Sequence, residues 1–409
     1  MLFLAGISWS RIPGCNPLHL CELKNALLQP CIFMPPLTMK LLENIPLAPL
    51  TTLKVGGPAR YFVAASSEND VLSAVEHASS HQLPLFVLGG GSNLVVADAG
   101  WPGMVLKIDI RGIKEIGTAA GPRGAGEKRQ FQVGAGEEWD AFVAHAVAEN
   151  CAGIETMSGI PGTVGGTPVQ NVGAYGQEVS ESITSVRVLD LETTRVGELD
   201  NSGCQFSYRT SIFNSTQRGR YVVLSVRFAV VPGGPPHIAY ADLQKYFAES
   251  KNGKPTLEQT RQAVRQIRRS KAMLIVPDDE DCRSAGSFFK NPIVEAAKYD
   301  EVSAAAERLA NSESSSGPTN SAVPPQYPAE GGKVKLSAAW LVERAGFHKG
   351  YTRGAVGISR KHSLAIINRG GATAAEIVTL KDDVQMAVRE KFGIELQPEP
   401  VFVGFDSPN

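Results

Sequence analysis

The chain has 409 residues, 43% of them hydrophobic and 20% charged, enough for two or three domains with sizeable cores. A formal net charge of -1 leaves no electrostatic footprint for nucleic acid or an anionic membrane, so basic residues that matter must act locally on a small anionic ligand. Six cysteines without a CxxC pair and seven histidines without HExxH point to reduced thiols and no metal site, and no apolar stretch approaches the roughly 20 residues of a membrane helix.

Residues 1–38 show neither helical nor alternating period and carry prolines at 13, 17, 30, 35 and 36. The apolar stretch 2–7 is too short for a signal peptide and lacks a preceding positive charge. This segment is expected to be a disordered extension or a misassigned start, with Met39 as the true start. A strand at 60–64, an amphipathic helix at 71–81 opened by Ser-Glu-Asn-Asp, and a buried strand at 85–88 form a βαβ unit that ends in glycines. Further strands are predicted at 104–107, 130–134, 183–190 and 221–230, with a helix over 138–150. The Gly/Lys/Arg-rich segment 118–129 reads as a solvated hairpin tip. Pro-Gly-Gly-Pro-Pro at 232–236 marks a domain boundary, followed by a helix at 256–270. Segment 311–328, rich in serine and poor in apolar residues, reads as a mobile surface insertion. A helix at 338–345, a strand at 364–368, a helix at 373–392 and an apolar strand at 401–405 complete the chain. The last strand is expected to return to the first domain.

Two segments are built to surround a ligand. Gly89, Gly90 and Gly91, followed by Ser92 and Asn93, come directly after a buried strand, and glycines let backbone N–H groups approach a diphosphate without a Cβ in the way. Alone, such a turn is often only structural. The second segment, Ile-Pro-Gly-Thr-Val-Gly-Gly-Thr-Pro-Val-Gln-Asn-Val-Gly-Ala-Tyr-Gly at 160–176, is too lean in core-forming residues to pack on itself and offers Thr163, Gln170, Asn171 and Tyr175 as hydrogen-bonding groups. A third run, Arg-Ser-Ala-Gly-Ser-Phe-Phe-Lys-Asn-Pro at 283–292, sets Ser287 between a small-residue turn and an aromatic pair, as a reactive hydroxyl in a pocket would be set.

Together these runs resemble the UDP-N-acetylenolpyruvoylglucosamine reductase (MurB) family, over about residues 39–405. Thr-Leu-Lys-Val-Gly-Gly-Pro-Ala-Arg at 52–60 matches the family's opening strand. The resemblance implies an α+β chain: a vanillyl-alcohol-oxidase/PCMH-type FAD-binding fold in two subdomains over residues 39–231, and a substrate-binding domain over 236–395. Residues 396–409 would carry the strand that returns to the FAD domain. FAD would be held by Gly89, Gly90, Gly91, Ser92, Asn93, Ile160, Gly162, Thr163, Gln170, Asn171, Gly173, Ala174 and Tyr175. No histidine lies between 86 and 107, so the flavin would be dissociable rather than covalently bound.

The implied reaction is NADPH-dependent, FAD-mediated reduction of UDP-N-acetylglucosamine enolpyruvate to UDP-N-acetylmuramate, in the cytoplasm and by a monomer. Hydride added to the enolpyruvyl carbon leaves carbanion character beside a carboxylate, which must be stabilised and then protonated. Arg209, in Tyr-Arg-Thr-Ser, would grip the carboxylate. Ser287 would give the proton. Glu399, between two prolines, would be protonated in the complex and donate to the enolate; Glu395 is the competing carboxylate. Tyr240, Lys271 and Asn291 match positions that grip the UDP-sugar. His362 stands where relatives carry glutamine, on the strand before Leu364. The rival readings are an FAD-dependent oxidase of the same flavin fold and a non-catalytic nucleotide-sugar binding protein.

Overall fold

A computed structural model describes residues 39–119, 126–248, 254–312 and 323–405. The expected extension at 1–38, the tip of the hairpin at 118–129 and residues 313–322 of the insertion lie outside the described residues.

The first sheet has the order Leu42–Pro46, Pro58–Ala65, Trp101–Ile108, Leu85–Leu88. Its first pair is antiparallel and the other two are parallel, with Phe62 opposite Val105 and Phe86 opposite the same residue on the far side. Helix Glu68–Ser80 connects two of these strands, and Ser67 and Asp70 close a reciprocal capping box at its start. Val71, Ala74, Val75 and Ala78 recur at helical spacing and are buried, which lays that face on the sheet.

The second sheet is antiparallel, in the order Arg195–Asp200, Ile183–Asp190, Tyr221–Pro232, Lys128–Gly134, Ile113–Ala119. Helix Trp139–Ala148 seals it: the Phe142 ring lies tilted at 4.8 Å from Phe228, and Trp139 lies 5.8 Å from the same ring. A second core gathers Phe288, Phe289, Leu341, Ile366 and the buried face of helix Ala374–Phe392, whose Ile377, Leu380, Val384 and Val388 are fully buried.

Three contacts tie segments near the start of the described chain to segments in its second half. Strand Val401–Val403 pairs in parallel with Leu94–Val96, immediately after the Gly89–Asn93 turn. The buried Asn368 donates to the carbonyls of Leu53 and Lys54 at 3.2 and 3.1 Å. Thr52 Oγ1 donates to the carbonyl of Ser284 at 2.7 Å.

Most predicted elements occur with ends moved by a few residues. The strand placed at 364–368 is shorter, Ile366–Asn368, and His362 lies in the turn before it. The insertion is also narrower than 311–328: helix Ala296–Ser312 runs into its start, and Gln326–Pro328 pairs with Val334–Leu336. Two prolines before Gln326 and a polar surround masked that strand in the sequence.

Candidate functional site

Gly90 and the second glycine-rich loop touch backbone to backbone. A Cβ on Gly90 would sit 2.5 Å from Gly162 Cα and 3.0 Å from Thr163 N, closer than packing permits. Thr163 Oγ1, beside Gly89, is buried without a hydrogen-bond partner. An orphaned buried hydroxyl costs about 1–3 kcal/mol unless a ligand supplies its partner. These groups border a cavity of about 500 Å³ that Pro49, Lys107 and Arg111 also line. Arg265 lines it as well, with Glu138, Asp109 and Asp140, of which Asp109 pairs with Arg111 and Asp140 with Arg265, so the fit to the phosphates of a dinucleotide such as FAD rests on the close backbone, the unspent Thr163 hydroxyl and Lys107.

A second cavity, of about 840 Å³, holds Arg209, Ser287, Glu399, Tyr240, Lys271, Asn291 and His362 together. Ser92, Asn93, Gln170, Gly173, Ala174 and Tyr175 line it too, and Ile160 and Pro161 line both cavities. The two cavities thus adjoin at Ile160–Pro161.

Ser287 follows Gly286, whose φ of +76° turns the chain. Its other neighbour is clamped: Phe288 is fully buried, its N–H donates to the Leu364 carbonyl at 2.8 Å, and its carbonyl accepts from Glu399 N–H at 2.9 Å. Ser287 thus sits on a fixed backbone in the cavity that Glu399 also lines.

Glu399 is held from three sides. Asn93 Nδ2 and Gln170 Nε2 both donate to its carbonyl, at 3.1 and 3.2 Å, and Val401 N–H donates to the Asn93 carbonyl. Burial raises its carboxyl pKa above the ordinary value, while Arg209 and Lys290 pull the other way. Arg209 Nε lies 3.4 Å from Glu399 Oε1, within ion-pair range but without a directed hydrogen bond, so this N–H remains unspent. Arg209 sits in a tight Ser207–Thr210 turn at φ +53°, with Nη2 donating to the Gly173 carbonyl at 3.0 Å and Asn214 Nδ2 holding its own carbonyl. A left-handed arginine is strained, and such strain persists where the surroundings enforce it.

Asn291 Oδ1 accepts from the Ala338 N–H at the start of helix Ala338–Arg344, at 3.0 Å, which commits the oxygen and leaves the amide NH2 as donor. Lys271 Nζ pairs with Asp242 at 2.6 Å; burial disfavours its charge, but this bond outweighs burial and raises its pKa. Tyr240 stands half exposed, edge-on to the buried Tyr175 at 5.4 Å. His362 is pushed down to about 4 by burial and by the cations Lys271, Lys349 and Arg268. Its Nδ1 accepts from Leu364 N–H at 2.9 Å, so Nε2 carries the proton.

Two expected cofactor residues line neither cavity. Asn171 is buried behind the loop, donating to Glu178 and the Ser207 carbonyl and accepting from Ser180, so its amide is spent on loop shape. Gly91, at φ +65°, would drive a Cβ to 1.9 Å from the Leu50 carbonyl and serves the turn itself. Glu395, the competing carboxylate, is exposed. Sequence reading also missed Arg268, Tyr327 and Lys335, which line the second cavity. Arg268 was hidden among neighbouring arginines, although it continues the buried face of helix Leu257–Ser270 through Thr260 and Val264 at intervals of four.

The model of "UDP-N-acetylenolpyruvoylglucosamine reductase, C-terminal domain" matches residues 277–403, and that of an FAD binding domain matches residues 59–199. A UDP-N-acetylenolpyruvoylglucosamine reductase of Thermobifida fusca is 45% identical over 371 residues, covering 90% of this chain and 99% of that protein. One of Mycobacterium tuberculosis is 40% identical over 375 residues, covering 88% and 95%. The crystal structure of the UDP-N-acetylenolpyruvylglucosamine reductase (MurB) from Thermus caldophilus shares the fold at a TM-score of 0.57 and 22% identity, covering 89% of this chain and 98% of that one. By sequence and by fold, the chain belongs to the UDP-N-acetylenolpyruvoylglucosamine reductase family.

Proposed function

We propose that the protein reduces UDP-N-acetylglucosamine enolpyruvate to UDP-N-acetylmuramate for peptidoglycan precursor synthesis, with FAD as cofactor and NADPH as hydride donor. The observation that carries this reading is the convergence of Arg209, Ser287 and Glu399 on one cavity that adjoins the glycine cradle through Ile160–Pro161. FAD, when bound, supplies hydride transfer between NADPH and the enolpyruvyl carbon. We assign the cofactor to residues 39–231 with the strand of 396–409, and the substrate to residues 236–395, in a cytoplasmic monomer.

Once hydride reaches the terminal enolpyruvyl carbon, its neighbour becomes strongly basic. Ser287 donates the Oγ proton there; serine is a weak acid in water, but this acceptor is far more basic than water. Arg209 directs its unspent Nε–H at the substrate carboxylate, where the extra negative charge accumulates. Glu399, in protonated form, donates to the same oxygens, and its neutrality removes the repulsion that a carboxylate would exert there. Lys271, Tyr240, Asn291 and the Nε2–H of His362 are the donors for the diphosphate and sugar. Incubating the protein with NADPH and the UDP-sugar and identifying the product by mass spectrometry tests the assignment; an unchanged UDP-sugar would overturn it.

Two further outcomes follow from the geometry. Gly90→Ala forces a Cβ against Gly162 and is expected to weaken FAD binding about 5- to 150-fold, the equivalent of about 1–3 kcal/mol of overpacking, as measured by flavin fluorescence titration. His362, with a folded pKa of about 4 against an ordinary 6.5, makes the unfolded chain the better proton acceptor between those values. Its contribution to stability is complete above pH 6.5 and is lost as the pH falls toward 4. Thermal melts from pH 7 to 4.5 should therefore show a smaller acid-induced loss for His362→Gln than for the wild type.

A further inference from the structure

Glu155 is fully buried and lines neither cavity, yet its carboxyl oxygens gather N–H donors from three parts of the chain. Gly153 N–H donates to Oε2 at 2.7 Å and Gln177 Nε2 to Oε1 at 3.1 Å. His237 N–H, from 82 residues further along the chain, donates to the same Oε1 at 2.8 Å. Among the described residues, no lysine or arginine pairs with this group. An acid withdrawn from water without a cation is costly, and it persists where its hydrogen bonds are complete. An apolar side chain would fill the same volume at less cost, so what the carboxyl group adds is the placement of those three donors.

Two of the donors lead into the second cavity. Gln177 belongs to the hairpin in which Gly173–Ala174 pairs with Gln177–Glu178, and its Oε1 accepts from Thr156 N–H at 3.0 Å, so both ends of its amide are held by Glu155 and the residue after it. Tyr175 and Gly176, at φ +50° and +90°, make the turn of that hairpin. His237 opens the short run that reaches Tyr240 and then helix Ala241–Ala248. The two arms meet in the cavity wall: Tyr175 stands edge-on to Tyr240 at 5.4 Å and packs in one small cluster with the fully buried Leu243.

We propose that Glu155 is a positioning residue for the UDP-sugar: by holding the His237 N–H and the Gln177 amide at one point, it sets the placement of Tyr240 against Tyr175 in the wall of the second cavity. This inference rests on the functional reading given above, in which Tyr240 is a donor to the UDP-sugar. Glu155 itself touches no substrate and takes no part in hydride or proton transfer. Both of its oxygens must accept, because the backbone N–H groups of Gly153 and His237 can only donate, so an amide in its place sets N–H against N–H at one of the two.

The test is steady-state kinetics normalised to bound FAD. Glu155→Gln should raise the KM for UDP-N-acetylglucosamine enolpyruvate about tenfold or more, with kcat within about threefold of the wild type, the pattern of an interaction made equally in ground and transition states. An unchanged KM with a lowered Tm would make Glu155 a structural residue and overturn the proposal. A pair of variants at His237 tests the same link without touching the acid: His237→Ala and His237→Pro both lose the ring, but only proline loses the N–H. KM should be about tenfold higher in the proline variant than in the alanine variant, and equal values would overturn the proposal even if Glu155→Gln failed to fold. In a double-mutant cycle, Tyr240→Ala should add far less to KM in the Glu155→Gln background than in the wild type, whereas effects that simply multiply would show that Glu155 does not act through Tyr240. A wild-type protein that leaves the UDP-sugar unchanged would sink the functional reading itself, a failure distinct from an active enzyme whose KM is indifferent to Glu155.

Discussion

Ser287→Ala is expected to lower kcat about 10²- to 10⁴-fold, the range that a positioned general acid contributes, while the rate of FAD reduction by NADPH stays at the wild-type value. On the proposed mechanism the two halves separate, because Ser287 would enter only after hydride had left for the substrate. Its backbone is fixed by Phe288, buried in the second core, and by the hydrogen bond to Glu399, so removing one oxygen leaves the cavity in shape. Stopped-flow traces of the two half-reactions give the answer directly. A slowed first half-reaction would show that Ser287 serves cofactor placement instead, and an unslowed second half-reaction would remove it from the chemistry.

Glu399→Gln is expected to lower kcat about 10²- to 10³-fold, as loss of one oxyanion-stabilising donor does elsewhere, and to make the protein more stable at neutral pH. Both effects come from one environment. Burial raises the carboxyl pKa in the fold, so its stability contribution is fully present below about pH 4.5 and is lost as the pH rises through the folded value. At pH 7 the fold bears the cost of a desolvated acid, which an uncharged amide of the same size does not incur. The Gln variant retains the carbonyl that Asn93 and Gln170 hold, so its position is kept. What it loses is the acidic O–H, beside which Arg209 Nε stands 3.4 Å from Oε1. Steady-state kinetics paired with melts at pH 7 and pH 4 separate the contributions: the activity loss persists at both, whereas the stability gain shrinks at the lower pH. Full turnover by this variant would remove Glu399 from the mechanism.

The parts of this site legible in the sequence were those whose chemistry is local. Three glycines after a buried strand, a proline-bracketed glutamate and a serine in a small-residue turn each carry their meaning within a few residues. The βαβ unit was equally legible, because Ser67–Asp70 caps the helix and Val71, Ala74, Val75 and Ala78 mark its buried face. Illegible were features that depend on distant partners. Asn171 reads in the sequence as one more hydrogen-bonding group of its loop, but contacts with Ser207 and Glu178 consume its amide. Asn93 and Gln170 line the second cavity, but the bonds they make hold Glu399, 306 and 229 residues away. No local pattern encodes such separations. Arg268 needed the burial of its helix face before its charge stood out from that of Arg265 and Arg269. Tyr327 and Lys335 belong to a short strand pair whose register arises only when the chain closes on Ile293–Val294.

The most direct measurement is anaerobic: reduce the FAD-loaded protein with NADPH, add UDP-N-acetylglucosamine enolpyruvate, and follow the flavin absorbance together with product. Rapid reoxidation is expected, with UDP-N-acetylmuramate formed in equal amount. A flavin that stays reduced until oxygen is admitted would contradict it and assign the protein to oxygen-dependent chemistry on the same fold.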